Sequence, residues 1–294
     1  MKPKILITGA TGKTGLPLAQ QLAEKKVPFR ALIHSSLKEP TMKKWTPDVV
    51  VGDYTDETAM ERAFDGIERL YLVSPPARDQ YQVQTSLVEK AKEKGVKHIV
   101  KLSALGTSPD SPVGLLKGHA EIEGFIRKSG IASTFLHPHF FMENLLGSAE
   151  SVIRDGAIYS PLGDAAISAI AVWDIAAVAA EILTGSGHEG RTYTLTGPES
   201  IGYADIASIL GRVIGRTVLY VPVSFEAARS GMIQAGMPDW FADDIIRLMK
   251  TWTEGKGSRV THDVEMVIER KPISIREFFE CHKQAFVGTT GKAA

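Results

Sequence analysis

The chain is poor in several features that would fix its role at a glance. It has one cysteine, Cys281, in 294 residues, which excludes an internal disulfide, a cysteine-rich zinc site and a disulfide-stapled secreted fold. Lys plus Arg equals Asp plus Glu at 34 each, so no net field draws it to nucleic acid or to an anionic membrane. No stretch is long enough and free enough of charge to span a bilayer, and Met1 to Thr8 is too short for a signal core. Gly-x-Ser-x-Gly and His-Glu-x-x-His are both missing, which speaks against hydrolase and zinc chemistry. We therefore expect a cytoplasmic protein without a metal, a nucleic-acid partner or a membrane partner.

What is present begins within ten residues. The apolar run Ile5, Leu6, Ile7 enters Thr8, Gly9, Ala10, Thr11, Gly12, Lys13, Thr14, Gly15, and a helical pattern follows from Leu16 to Lys26. Glycines in such a turn permit positive φ and close approach, and the first N–H groups of a helix attract an anion. A pyrophosphate is the ligand this arrangement suits, although a glycine turn alone also serves simply to join a strand to a helix. Gly12, Lys13 and Thr14 resemble the end of a P-loop, but that motif needs glycine where Ile7 stands. ATPase and GTPase readings fail on that spacing.

With 44% hydrophobic residues the chain is long enough to bury a full core. Strand-like runs recur at Lys4 to Thr8, Phe29 to Ile33, Val49 to Val51, Leu70 to Ser74, His98 to Ser103 and Thr134 to His137, with helical segments between most of them. Such alternation predicts an α/β fold, a Rossmann-like doubly wound parallel sheet with helices on both faces. Thr55 or Asp56 is expected to cap the following helix, and Tyr81 to Lys94 to end at Gly95. Residues 1–138 form the expected dinucleotide-binding domain, with some later segments returning to it; residues 139–294 form a smaller α+β substrate-binding portion.

The second strand runs into His34, Ser35, Ser36, Leu37 and Lys38, where an NAD site usually carries an acid for the ribose hydroxyls. These donors suit a 2′-phosphate, so NADP(H) is favoured and NAD(H) stays open. Asp53 and Tyr54 follow the third strand. They can meet the adenine, and capping the next helix is an equally good role for Asp53.

Read together, Thr8 to Gly15, Gly52-Asp53-Tyr54, Leu72-Val73-Ser74-Pro75-Pro76, Gly95-Val96-Lys97-His98-Ile99-Val100, Leu102-Ser103-Ala104-Leu105-Gly106, His119-Ala120-Glu121-Ile122-Glu123 and Phe141-Met142-Glu143-Asn144-Leu145-Leu146 stand in the order found in NmrA-like atypical short-chain dehydrogenase/reductases. Within that group the chain resembles the quinone, azo-dye and triphenylmethane reductases. The resemblance implies a Rossmann fold, NAD(P)H and hydride transfer to a quinone-like or other conjugated acceptor (carbonyl, imine or dye). It equally admits a non-catalytic NADP(H)-sensing regulator, since some members bind the cofactor without turning it over. Two departures stand out: His34 where members often have arginine, and His137-Pro138 where they usually read Arg-Pro.

No tyrosine from Tyr54 to Tyr220 has a lysine four positions on, so the acid pair of ordinary short-chain dehydrogenases is absent, and an epimerase reading loses ground with it. Relatives place a cofactor-contacting Lys or His on the helix after the fifth strand, at the position of His119, with Lys117 close by. An imidazole there suits proton donation near neutral pH, although a plain surface histidine is nearly as good a reading. The expected catalytic set is His119, Ser103 and Lys117. The expected cofactor set is Thr8, Gly9, Thr11, Gly12, Lys13, Thr14, Gly15, His34, Ser35, Ser36, Lys38, Asp53, Tyr54, Val73, Ser74, Pro75, Ser103 and His119. Phe140, Phe141, Asn144 and Trp240 are the expected contacts of a small aromatic or conjugated substrate, with core packing the competing role for the aromatics. A homodimer is left open.

Overall fold

The computed structural model describes residues 4–288. The chain divides into two compact units, one of Met1–Pro138, Val172–Leu195 and Asp263–Arg270, the other of His139–Ala171, Thr196–His262 and Lys271–Ala294. Among the described residues the strands, in chain order, are β1 (Ile5–Ile7), β2 (Phe29–Ile33), β3 (Val49–Val51), β4 (Arg69–Leu72), β5 (His98–Leu102), β6 (Ala132–Pro138), β7 (Ala157–Ser160), β8 (Ala166–Ile167), β9 (Thr192–Leu195), β10 (Ile201–Gly202) and β11 (Leu219–Pro222).

The first unit is a Rossmann-like α/β fold. Its seven-stranded sheet has the order β3-β2-β1-β4-β5-β6-β9, and every pairing is parallel. Strands covered on both faces read as apolar runs rather than alternating ones, which is why Ile5-Leu6-Ile7 and the β5 run are buried at every position. The Gly15–Glu24 helix packs on Val172–Thr184, and Gln80–Glu93 packs on Gly114–Ser129. Leu6, Val50, Phe64, Leu70, Ile99 and Phe135 share one core, each such side chain contributing about 1.5–3 kcal/mol by leaving water. The strand order reverses between β1 and β4, so ligand-binding loops belong at their carboxyl ends.

Local chemistry explains the helix boundaries. Asp56 caps the Glu57–Phe64 helix by accepting from Ala59 N–H at 3.0 Å, which settles the choice between Thr55 and Asp56. The lysines near the end of the Gln80–Glu93 helix do more than face its dipole. Lys90 bonds Glu57, Glu61 and Glu93 at 2.6, 2.9 and 2.9 Å, tying two helices together.

The second unit is a mixed α+β body. β7 pairs with β11 in parallel and β8 with β10 in antiparallel. The Tyr203–Ile214 and Ile275–His282 helices pack against each other, and Tyr203, Trp252, Phe278, Phe279 and Phe286 anchor a separate core. Ser274 and Glu277 form a reciprocal capping box that starts the Ile275–His282 helix. No described helix is long and apolar enough to cross a membrane.

Candidate cofactor and active site

β1 ends and the chain turns at once. Gly9 has φ +57, and a Cβ on it would lie 3.0 Å from Val73 Cγ1. Gly12 N–H donates to Gly9 O at 2.8 Å, and a Cβ on Gly15 would fall 2.3 Å from that same oxygen. Gly9 thus provides left-handed backbone and Gly15 lets the helix begin against the turn. Gly12 and Lys13 are exposed, Thr11 is half-buried and Thr14 is buried. The helix has no acidic residue in its first turn and no side-chain cap on its leading N–H groups, so its positive end is suited to an anion. This main-chain cradle fits a pyrophosphate. Thr8 takes a different part from the one expected: fully buried, its Oγ1 lies 3.0 and 2.8 Å from the Tyr71 and Val73 carbonyls and accepts from Val73 N–H at 2.9 Å. It fastens the turn to β4.

At the end of β2, His34, Ser36 and Lys38 are exposed and Ser35 is half-buried. Ser36–Lys38 forms a short 3₁₀ turn. A carboxylate does reach this place, contrary to the expectation of an acid-free stretch. His34 Nδ1 lies 3.1 Å from Asp53 Oδ2, because β2 and β3 are neighbours in the sheet. Bonds from the Thr55 backbone and hydroxyl, then the charge of His34, hold the Asp53 carboxyl below its ordinary range. Asp53 is therefore an ionised acceptor beside His34, and capping falls to Asp56. Tyr54 is half-buried against the first core. Burial raises its phenol, offset in part by a hydrogen bond with the Gly9 backbone, which brings the tyrosine to the glycine turn.

After β4, Val73 is half-buried, Ser74 buried and Pro75 exposed. Ser74 Oγ accepts from Gln84 Nε2 at 2.9 Å, so the Gln80–Glu93 helix holds this loop.

The carboxyl end of β5 carries a buried polar cluster. Residues alternate across a strand, which puts Lys101 and Ser103 on one face, toward the Gly114–Ser129 helix. Lys101 is fully buried, its Nζ 2.6 Å from Leu102 O and 3.1 Å from His119 Nδ1. Burial pushes the Lys101 ammonium down to about 7, opposed by Glu123. Burial also takes His119 well below its ordinary value, with the charges of Lys101 and His137 adding to the effect. His119 is a neutral imidazole at pH 7, which corrects the expectation of a histidine titrating near neutrality. In its ammonium form Lys101 can only donate to Nδ1, and that form places the ring proton on Nε2.

Glu123 lies one turn further along the same helix. Its Oε1 meets His137 Nε2 at 2.7 Å and its Oε2 meets Arg127 at 2.9 Å. Burial raises the Glu123 carboxyl, but the bonds and charges of His137, Ser103 and Arg127 outweigh it and the carboxyl is lowered overall. Ser103 Oγ is buried beside this carboxylate without a hydrogen bond of full geometry. Lys117, by contrast, is exposed. Two residues before His119 on a helix is about 200° around the axis, so the lysine that meets His119 is Lys101 of β5. Lys101 escaped the sequence reading; its signal was a lysine flanked by Ile99, Val100 and Leu102 inside a strand.

The expected substrate residues belong to the second unit. Phe140 is half-buried and meets Trp252 edge to face at 5.9 Å, with His139 against the same indole at 5.1 Å. Phe141 forms an isolated bridge with Ile170, Asn144 is exposed on the Met142–Ser148 turn, and Trp240 lies against Phe241 at 5.4 Å. Trp252, which the sequence reading did not single out, is an aromatic partner of Phe140.

Comparisons with known proteins agree with this architecture. The model of the NmrA-like family matches residues 1–279. The chain is 35% identical over 282 residues to the NAD(P)H azoreductase of Xenophilus azovorans, an alignment that covers 96% of this chain and 99% of that protein. It is 33% identical over 243 residues to quinone oxidoreductase 2 of Escherichia coli strain K12, covering 81% of this chain and 84% of the relative. Among solved structures, the triphenylmethane reductase of Citrobacter sp. complexed with NADP(H) is similar, with a TM-score of 0.82 at 28% identity and coverage of 93% and 98%.

Proposed function

Since the chain belongs to the NmrA-like family, we propose that it is an NAD(P)H-dependent reductase, with NADPH preferred, that reduces a quinone-like or other conjugated acceptor. The observation that carries this reading is the glycine cradle at the β1/β4 switch point, built from main chain and faced by no acidic side chain in the helix's first turn. The azoreductase, quinone oxidoreductase and triphenylmethane reductase relatives support it. When bound, the dinucleotide supplies a hydride.

This chain's own residues do the rest. The Gly9–Gly15 main chain, with Thr11, Lys13 and Thr14, holds the pyrophosphate. His34, Ser35, Ser36 and Lys38 receive the 2′-phosphate, with Asp53 and Tyr54 on the adenine side. Val73, Ser74 and Pro75 border the nicotinamide ribose. His119 presents its Nε2 proton to the acceptor and Ser103 stands beside it. Phe140, Phe141, Trp240 and Asn144 are assigned to a flat acceptor. The one cysteine fits a reducing cytoplasm.

Hydride transfer to a conjugated acceptor is mostly a matter of holding two reactants in register, which explains how the chemistry proceeds without a Tyr–Lys pair. The test is NADPH and NADH oxidation across quinones, azo dyes, triphenylmethane dyes and iminium compounds, with cofactor titrations alongside. Turnover with NADPH ahead of NADH is expected. Tight cofactor binding with no turnover on any acceptor would overturn the enzyme and leave a cofactor-sensing protein.

A further inference from the structure

Lys101 occupies a place where a lysine is costly. Its in-register neighbours are Leu72 on β4 and Phe135 on β6, both apolar and buried, and an amine there gives up its hydration. The groups around it are specific. From the Gly114–Ser129 helix it faces His119 and, further off, Glu123; from β6 comes His137, and Ser103 shares its face of β5. Glu123 is already engaged by His137 and Arg127 and does not bond Lys101. The lysine's two partners are the Leu102 carbonyl and His119 Nδ1, which take two of the three N–H donors of its ammonium form. No protein group among the described residues bonds His119 Nε2.

We propose that Lys101 and His119 form a two-member proton relay that protonates the reduced acceptor, a role that rests on the reductase reading above. The hydride, with its electron pair, passes from the dinucleotide to the acceptor. His119 then gives its Nε2 proton to the acceptor oxygen or nitrogen: the Nε2–H bond breaks and an O–H or N–H bond forms. In the same step Lys101 gives a proton to His119 Nδ1, leaving a neutral amine and a neutral imidazole of the other tautomer. Water gives a proton to Nε2, leaving hydroxide to the solvent, and the Nδ1 proton goes back to Lys101. The sum is one hydride and one proton added to the acceptor. A lysine brought by its surroundings to about 7 releases and regains a proton near neutrality, and a neutral imidazole carries one without accumulating charge.

The test compares the wild type with Lys101→Met in two ways. First, imidazole ¹⁵N resonances of the cofactor-free protein are expected to show His119 protonated at Nε2 with Nδ1 accepting, and to lose that bias in the variant. Second, rates are measured with a neutral quinone, which needs a proton after hydride arrives, and with a cationic triphenylmethane dye, which becomes neutral by hydride alone. The quinone-to-dye rate ratio is expected to fall at least about tenfold in the variant. The same split should appear in wild type, with heavy water slowing the quinone reaction more than the dye reaction, which decides the matter if the variant does not fold. An unchanged ratio and unchanged tautomer, with wild type reducing both acceptors, overturns the relay and leaves the reductase intact. Reduction of neither acceptor by wild type overturns the reductase, and the relay with it.

Discussion

The glycine turn after β1 and the buried cluster beside β5 belong to the same end of one parallel sheet, yet they are made in opposite ways. The turn is shaped chiefly by main chain: left-handed backbone at Gly9 and close approach at Gly9 and Gly15 set it, and Thr8 Oγ1 fastens it to Tyr71 and Val73. The cluster is chiefly side chains, drawn from β5, β6 and the Gly114–Ser129 helix, with the Leu102 carbonyl as a main-chain partner, each needing the others to be tolerable in a dry interior. The first region is suited to the feature all dinucleotides share, a pyrophosphate. The second holds polarity at chosen atoms, and it is where the proposed reading puts the chemistry on the acceptor. A fold that hosts many reactions keeps the first kind of site and varies the second.

Breaking the turn should have the largest effect. Gly15→Ala places a Cβ 2.3 Å from Gly9 O and 2.8 Å from Ala10 Cα, both main-chain atoms with little room to adjust. We expect a loss of about 3 kcal/mol in stability together with weaker NADPH binding, measured by denaturant unfolding and calorimetric titration. A fully stable variant that binds normally would show that the turn is looser than its geometry.

Breaking the cluster should cost somewhat less. Glu123→Gln leaves His137 and Arg127 without their buried carboxylate, and we expect a loss of about 2 kcal/mol, discounted because Arg127 is partly exposed. NADPH affinity should stay within about threefold of wild type, a shift worth less than about 0.7 kcal/mol. Equal damage to binding would mean that the two regions are not separable.

The pH dependence of stability sharpens the comparison further. Lys101 has its folded value lowered from 10.5 to about 7. Between those values the unfolded chain binds a proton that the folded chain does not, so stability rises with pH through that window, by up to about 1.4 kcal/mol per pH unit. His119, also lowered, acts in the same sense on the acid side: stability falls as pH drops below 6.5 and the unfolded imidazole takes up a proton. Denaturant titrations at a series of pH values should show the alkaline slope in wild type and its loss in Lys101→Met. A slope unchanged by that substitution would place its source elsewhere.

The smallest effect is expected at the rim of the cradle. Asp53→Ala removes the carboxylate that lies against His34, and the preference for NADPH over NADH should rise about threefold, an exposed charge being worth little. Added salt should shrink the difference. A shift toward NADH would instead assign Asp53 to the ribose hydroxyls.

How much of this was legible in the sequence follows from the same contrast. The glycine turn, the strand runs and the helix end near Gly95 are local, so residues near one another in the chain announce them. His34 and Asp53 are 3.1 Å apart but nineteen positions apart in sequence, and only the pairing of β2 with β3 brings the acid to a stretch that reads as acid-free. Lys117 drew attention as the lysine nearest His119 in the chain. Helical rotation turns it away, and a lysine eighteen positions earlier, on a neighbouring strand, takes the contact. Neighbourhood in sequence predicts turns and caps well; it does not predict which side chains share a buried space.

The central claim is that this chain passes hydride from a dinucleotide to a conjugated acceptor. It is tested most directly with NADPH carrying deuterium at the transferring C4 position and a cationic triphenylmethane dye, with the leuco product read by mass spectrometry. We predict that the deuterium is found on the central carbon of the dye. An unlabelled product, or a bound cofactor recovered with its deuterium in place and the dye unreduced, would contradict the account.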